Sequence, residues 1–403
     1  AASAPAHGDQ LDATVRGAGP FHGLPRSLFD GVLDLLSGRY PSDEFAELRP
    51  RVTWDRITGE VSARKGAQRI AVLNGGTIPD RGLYGVYLAD GDGGGRRVGE
   101  LDEEMVFETQ VGDVFLLGAS SWRVLEITRD RVLVAPAPGE PGKMPFWRGD
   151  GPGRPLDFGL AIGAMTRRLG AMSDKEAHET LQTQHCLDPR AAKNLVEYLR
   201  EQSTATGELP TDRTIIVESF LDEIGDWRIA VLSPLGRQIH APWAIAAAAQ
   251  LREAVDMEID FTWTDDGMAF RLLASDKPPD VNLFLPDPQD VEEQVVRQLS
   301  GTSLFAARFR ENAARALLLP RQQPRRRTPL WLQRRRSADL LAVASRYERF
   351  PILLETYREC LRDVFDVPGL RRVLRDIRQQ RIRIHQVDTP TPSPFASSLM
   401  FNY

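Results

Sequence analysis

Between Pro136 and Pro155 the chain reads Pro-Ala-Pro-Gly-Glu-Pro-Gly-Lys-Met-Pro-Phe-Trp-Arg-Gly-Asp-Gly-Pro-Gly-Arg-Pro. Proline fixes φ and withholds a backbone N–H, and glycine adds backbone freedom, so this run excludes both helix and central strand. It must be an irregular connection, and one this long is either functional or disordered. It also divides the chain: short alternating segments precede it, and helical periodicity follows it.

On its N-terminal side, the residues before Pro20 lack periodicity and are expected to be loose. Leu28, Val32, Leu35 and Leu36 then recur at helical spacing after Ser27, a candidate N-cap, and Tyr40-Pro41 ends that helix. A single helix without partners reads as a domain cut on its N-terminal side. From Val52 to Pro136, runs at Arg69 to Leu73, Leu83 to Leu88, Val114 to Leu117, Trp122 to Ile127 and Val132 to Ala135 alternate between Gly and Asp turns. That pattern predicts a small antiparallel β barrel or sandwich.

After the loop, helices are expected over Leu156 to Leu169, over Ser173 to His185 behind a Ser173/Glu176 capping box, and from Asp188-Pro189 to about Arg200. Strands at Thr214 to Phe220 and Trp227 to Ser233, a helix from Pro242 to Val255, and a hairpin turning at Asp265-Asp266-Gly267 form a mixed ββαββ layer. From Pro278-Pro279 to about Arg383 the pattern is helical, broken at Pro320 to Pro329, Pro351 and Pro368, and the tail from Thr389 reads as uncapped. The fold class is therefore α+β. Domains are expected at 51–137 (antiparallel β), 138–212 (Pro/Gly loop plus helical subdomain), 213–278 (ββαββ layer) and 279–403 (Arg-rich helical region and tail), with residues 1–50 ahead of them.

Composition narrows the class. The longest uncharged apolar stretch, Gln238 to Leu251, is shorter than the ~20 residues of a bilayer span, so no membrane role is expected. Two cysteines, Cys186 and Cys360, supply neither a disulfide framework nor a Cys-rich zinc site, which favours a reducing, cytoplasmic setting. The net charge of -5 conceals an asymmetry, because Ser303 to His385 carries 20 Arg and no Lys against 8 Asp plus Glu. A polyanion or an acidic partner is the natural counterpart of such a region.

Catalytic templates fail. Gly142-Lys143 is followed by Met144, so no phosphate loop is formed, and Leu101 to Met105 is not an acidic box ending in His. Asp90-Gly91-Asp92 begins like a calcium loop but places Leu101 where a bidentate Glu belongs. Gly149, Gly151 and Gly153 lie among prolines rather than between strand and helix. Asp222, Glu223 and Asp226 fit a polar hairpin turn better than a metal site, and His240 reads as a structural histidine without a Ser or Cys partner at a known spacing. No catalytic residue and no metal ligand is assigned.

Two loops combine features of nucleic-acid binding. In Asn74 to Gly82, glycines permit close backbone approach, Thr77 offers a hydroxyl, Arg81 a guanidinium, and Ile78 an apolar group able to enter a base step. In Lys143 to Gly149, Phe146 and Trp147 stand between prolines with Lys143 and Arg148 beside them, and Arg154 follows. Aromatic stacking flanked by phosphate-binding cations is how a single strand is held without sequence preference.

The segments Gly76 to Gly82, Gly99 to Glu104, Pro145 to Pro155, Asp226-Trp227-Arg228 and His240 to Trp243 resemble the large helicase-related (Lhr) family of bacterial superfamily 2 enzymes. The resemblance runs in order from about Pro25 to Tyr403, including Pro41 to Pro50 and the helical region after Phe305. It implies an ATP-dependent helicase tracking 3′ to 5′ on single-stranded DNA and parting DNA and RNA:DNA duplexes in DNA repair. Residues 1–50 would be a partial winged helix, and the chain would begin inside that domain and stop before the family's sequence ends. ATP and Mg are expected in RecA-like domains outside this chain, which itself needs no cofactor. The resemblance makes Trp147 a base-stacking residue and Ile78 an apolar contact that parts bases; Thr77, Arg81, Lys143, Phe146, Arg148 and Arg154 are assigned from chemistry and position. The alternative is a protein–protein interaction module whose basic face, around Arg325 to Arg327 and Arg334 to Arg336, docks an acidic surface without touching nucleic acid.

Overall fold

The computed structural model describes the chain apart from residues 1–3, 42–44, 46–47, 74–82, 90–94, 103–104, 107–108, 118–119, 129–130, 139–152, 223–224, 256–258, 273–276, 320–329 and 401–403. It divides into two compact units, the first formed by residues 1–151 and 303–357, the second by 152–302 and 358–403. The expected single helical region at 279–403 is thus shared between two units; helical periodicity reports a buried face but not its partner.

The first unit opens on β1 (Ala6–His7) and α1 (Gly8–Arg16), so the segment expected to be loose is ordered. Next come α2 (Arg26–Ser37), β2 (Val52–Trp54) and β3 (Glu60–Ala63). β3 lies between β1 and β2, antiparallel to both, so the boundary expected at residue 50 falls inside one three-stranded sheet. Ser27 does not cap α2, which begins behind Pro25 without a side-chain cap and ends at Gly38 in the left-handed region (φ 86°). Its buried face holds Phe29 and Leu33, packed on Val61, while Leu28 and Val32 are 41% and 43% exposed. The Arg69 to Leu73 run, expected as strand, belongs to α3 (Ala67–Leu73). An apolar run this short does not distinguish the two by periodicity, and its Ala, Gln and Arg favour the helix.

A five-stranded sheet follows: β4 (Leu83–Leu88), β5 (Arg97–Asp102), β6 (Val114–Leu117), β7 (Ser120–Ile127) and β8 (Arg131–Pro136), in the order β5-β4-β8-β7-β6. β4 and β8 run parallel, Gly85 opposite Arg131, and the other pairs are antiparallel. Among the described residues the edges β5 and β6 do not pair, so the sheet is open and mixed rather than the expected antiparallel barrel or sandwich. Alternation fixes which side chains face the core, here Val86, Leu101, Phe115, Val124, Val132 and Val134, but not strand direction.

The second unit starts with α4 (Leu156–Ala171), α5 (Asp174–Gln184) and α6 (Pro189–Thr206). Ser173 and Glu176 form the reciprocal capping box, and the Asp188 carboxylate accepts the N–H groups of Arg190 and Ala191 ahead of α6. Then come β9 (Thr214–Leu221), β10 (Trp227–Leu232), α7 (Arg237–Val255), β11 (Asp260–Thr264) and β12 (Gly267–Leu272). Their order is β11-β12-β10-β9, extended by β13 (Arg383–Asp388), which pairs parallel with β9 from 169 residues away, Ile384 opposite Ile215. α7 is apolar nearly all round and correspondingly buried, and Trp243 donates its Nε1–H to the Phe284 carbonyl at 2.6 Å.

After α8 (Val291–Leu299) the chain returns to the first unit with α9 (Ser303–Arg315), α10 (Leu330–Ala344) and α11 (Pro351–Glu359). Phe309, Ala313, Leu340, Val343 and Phe350 bury Leu35, Tyr40 and Leu48, supplying the partners that α2 lacks in its own sequence neighbourhood. The second unit closes with α12 (Val367–Arg378), β13 and α13 (Pro394–Met400). The tail is not uncapped: the Ser393 hydroxyl accepts the Ala396 N–H, and Pro394 occupies the first helical position. Buried Glu218 on β9 accepts from Thr389 Oγ1 at 2.8 Å and from Ser393 N and Oγ at 2.7 and 2.5 Å, fixing this tail to the sheet.

His240 is buried completely. Its Nδ1–H donates to the Thr264 carbonyl at 2.8 Å, so the neutral ring's Nε2 accepts from the Ser233 hydroxyl at 2.5 Å. Burial holds its pKa down at about 4. The unfolded chain takes up a proton below its ordinary value of 6.5 that the folded chain refuses. Stability from this group is therefore complete above that value and falls by ~1.4 kcal/mol per pH unit between pH 6.5 and 4. Urea unfolding at pH 7 and pH 5 should show this loss, and His240→Gln should abolish that component; an equal pH response in both proteins would contradict it. Replacing Glu218 by Gln should cost ~1–3 kcal/mol, by turning an acceptor for three donors into a group that is itself half donor, and should open the segment after Asp388 to proteolysis.

Candidate nucleic-acid interface

Thr77, Ile78, Arg81, Lys143, Phe146, Trp147 and Arg148 lie outside the described residues; the elements holding their loops do not. The 74–82 loop runs from the end of α3 into β4, and the long loop leaves β8, where the Ala137 N–H donates to the Ser121 carbonyl at 2.9 Å. Because β4 and β8 are parallel neighbours, one loop joins the sheet at the start of this pair and the other leaves at its end. A six-residue strand separates two such points by ~20 Å.

The far end of the long loop is fixed within the second unit. The Asp265 carboxylate, in the β11–β12 turn, accepts the backbone N–H of Arg154 and that of Arg237, each at 2.9 Å. Burial alone would raise the Asp265 pKa, but these two N–H groups and the Arg237 guanidinium outweigh it and hold the carboxyl below its ordinary value. The Arg154 guanidinium is 18% exposed and donates to the carbonyls of Pro234 and Asp265 and, at 2.7 Å, to the Asp266 carboxylate. In the free chain, then, Arg154 braces the loop's exit. Gly236 (φ 93°) is required here twice over, since its backbone is left-handed and a Cβ would collide with the Arg154 carbonyl. Gly153 (φ 68°) likewise leaves the space that the Arg237 side chain crosses.

Arg237 and Asp265 were not singled out by sequence reasoning. They are 28 residues apart, and Asp265 lies 111 from Arg154; only the hairpin turn was legible there. Arg237 keeps its side chain 51% exposed beside the loop's exit while lying 3.4 Å from Asp265.

The remaining polar candidates are structural. Asp222 pairs with Arg228 at 2.9 Å and accepts the Asp226 N–H, and Asp226 pairs with Arg271 at 2.8 Å, which braces the hairpin at both of these residues; Glu223 lies outside the described residues. Among the described residues no group of three or more His, Cys, Asp or Glu side chains is placed to hold a metal ion. His240 is a structural histidine as the sequence reading has it: its serine partner, Ser233, is buried with it where no substrate reaches. No described helix is long and apolar enough to cross a membrane.

Two family models match the chain: the winged helix domain of large helicase-related protein over residues 1–144, and the DEAD/H associated model over residues 209–396. The chain is 52% identical over 404 residues to a Mycolicibacterium smegmatis protein named Lhr helicase/probable uracil glycosylase, and 48% identical over 399 residues to the Escherichia coli Lhr helicase/uracil glycosylase. It is 29% identical over 406 residues to the ATP-dependent helicase Lhr-Core of Saccharolobus solfataricus. These matches cover 100%, 98% and 97% of this chain but 27%, 26% and 45% of the relatives, so the chain spans about a quarter of the first two and under half of the third. A solved structure of Mycobacterium smegmatis helicase Lhr bound to ssDNA and AMP-PNP superposes with a TM-score of 0.75 at 45% identity, over 99% of this chain and 46% of that one. With its two matched segments spanning both the winged-helix end and the β9–β13 sheet, the chain belongs to the Lhr helicase family and corresponds to a part of its longer members.

Proposed function

We propose that this chain is the strand-gripping part of an ATP-dependent helicase that tracks 3′ to 5′ along single-stranded DNA and parts DNA and RNA:DNA duplexes during DNA repair. The observation that carries the reading is the likeness, over nearly the whole chain, to a helicase described as bound to ssDNA. The anchoring of the long loop supports it. A stacking residue resists the pull of a moving strand only if its loop is held at both ends, and here Ala137 holds one end and the Asp265 turn the other.

In this reading Trp147 stacks on a base of the tracked strand with Phe146 beside it, and Lys143, Arg148 and Arg81 neutralise phosphates. Ile78 with Thr77, on the loop at the opposite end of the parallel strand pair, meets the nucleic acid at a separate point. The chain carries no phosphate-loop motif, so ATP and Mg belong to other domains of a longer protein, and this chain transmits their work rather than performing it.

Single-strand binding by the chain alone should need no nucleotide and should weaken steeply with salt, because phosphate neutralisation releases counterions. Fluorescence anisotropy at several salt concentrations measures this, and salt-independent affinity would argue for the interaction-module alternative. In a longer parent containing the motor domains, Trp147→Ala should weaken strand binding by ~1–3 kcal/mol and uncouple ATP hydrolysis from unwinding. Ile78→Ala should lower unwinding while leaving strand binding and DNA-stimulated hydrolysis near normal, since a wedge acts on the unstacked state rather than on ground-state affinity. If both residues instead only fill core space, each change would lower thermal stability by ~2–5 kcal/mol. Intact unwinding by a stably folded Ile78→Ala protein would end the wedge assignment.

A further inference from the structure

Helix α12 carries Arg371, Arg375 and Arg378 at positions i, i+4 and i+7, which places three guanidinium groups on one face, about 6 Å and then 4.5 Å apart along the axis. This face lines a groove of about 640 Å³ in the second unit, together with Gln379, the proline rings of Pro288 and Pro368, and Gln289. The lining contains neither a carboxylate nor an aromatic side chain.

Two of the three arginines are held by the fold. Arg371 donates Nε–H to the Pro288 carbonyl at 3.1 Å and lies 3.4 Å from Glu292, and Arg378 pairs with Asp287 at 2.9 Å. Arg375 differs. It is exposed, its Nε–H turns back to the Arg371 carbonyl at 3.3 Å, and among the described residues no carboxylate lies within ion-pair distance of it. Arginines in the last turn of a helix offset its dipole, which applies to Arg375 and Arg378 alike, but that effect gives no reason for a concave row that begins at Arg371 and ends in lining amides.

We propose that this groove binds the phosphodiester backbone of a nucleic acid, with Arg375 making the direct phosphate contact and Arg371 and Arg378 setting the charge around it. A guanidinium fork matches phosphate oxygens, and the amides of Gln289 and Gln379 add neutral donors. Without an aromatic the groove has nothing on which to stack a base, so it reads backbone and not sequence. Without an apolar pocket beyond two proline rings it lacks the buried anchor that a peptide partner needs. The groove shares no residue with the two loops. It rests on the reading that the chain handles nucleic acid, and it adds a second point of contact on the second unit.

The test uses the whole chain with Arg375→Gln and Arg375→Glu, measuring anisotropy of a labelled single strand and a labelled duplex across salt. The Gln variant should bind both about 3- to 10-fold more weakly at low salt, with a salt slope shallower by about one, and the Glu variant more weakly still. Thermal midpoints should stay unchanged, because Arg375 holds no ion pair. Trp147→Ala serves as the contrast: it should weaken the single strand at an unchanged salt slope and spare the duplex, so the stacking reading and the groove fail separately. Wild-type affinity and slope in both Arg375 variants would overturn the proposal. So would inorganic phosphate raising the midpoint of the wild type but not of Arg375→Gln while oligonucleotide affinity stays equal, which would make this a free-anion site. Loss of polyglutamate binding with intact oligonucleotide binding would likewise overturn it in favour of an acidic protein partner.

Discussion

One carboxylate fixes the exit of the loop on which the functional reading depends. Asp265 receives the backbone N–H groups of Arg154 and Arg237, so a single side chain in the β11–β12 turn joins the exit of the Pro/Gly loop to the start of α7. Its hold is directional because both donors are main-chain groups, which do not swing away as a long side chain does. Gly153 and Gly236, both left-handed, make the approach sterically possible. Removing the Asp265 charge would release the loop and leave the first turn of a 19-residue helix without its acceptor.

The same logic organises the rest of the second unit. Three buried polar side chains, Glu218, Gln202 and His240, are hydrogen-bonded where distant segments meet. Glu218 in the middle of β9 fastens the segment around Ser393, Gln202 on α6 accepts the Phe395 N–H at 2.8 Å, and His240 bridges the end of β10 to β11 through Ser233 and Thr264. Apolar burial would bring these elements together without fixing their register; a carboxylate with three donors admits one arrangement only. The parallel pairing of β13 with β9 is a consequence, because Thr389 and Ser393 continue directly from the strand they anchor.

Local chemistry was legible in the sequence and long-range chemistry was not. The Ser173/Glu176 box, the Asp188-Pro189 start and the Asp265-Asp266-Gly267 turn each act over four residues or fewer, and each is found in the fold. The face of α2 was misread because Leu28 and Val32 satisfy helical spacing as well as Phe29 and Leu33 do, and only the sheet beside it selects between them. β5 went unread because Arg97-Val-Gly-Glu-Leu-Asp offers just two apolar positions, of which Leu101 enters the core. The parallel β4–β8 pair, β13 and the Arg154 brace all depend on residues far apart in sequence. The aromatic and glycine-flanked loops themselves lie outside the described residues, and what holds the described end of the long loop, the Asp265 turn, is not written locally.

The charge asymmetry of the chain resolves in the same terms. The +12 of residues 303–385 reads as a surface for an external polyanion only if its arginines face outward. In the second unit several instead pair at the surface with acidic residues of the surrounding sequence: Arg362 and Arg371 with Glu292, Arg378 with Asp287, and Arg383 with Glu208. Exposed pairs of this kind contribute little to stability, ~0–1 kcal/mol each, but they consume the long-range field on which non-specific attraction depends. The positive surface that remains is therefore local rather than global. Arg375 on its helix face and Arg237 beside the loop exit are points where guanidinium groups stay exposed next to concave or irregular backbone. A strand crossing this unit would then meet discrete phosphate contacts set by the fold rather than a continuous basic track.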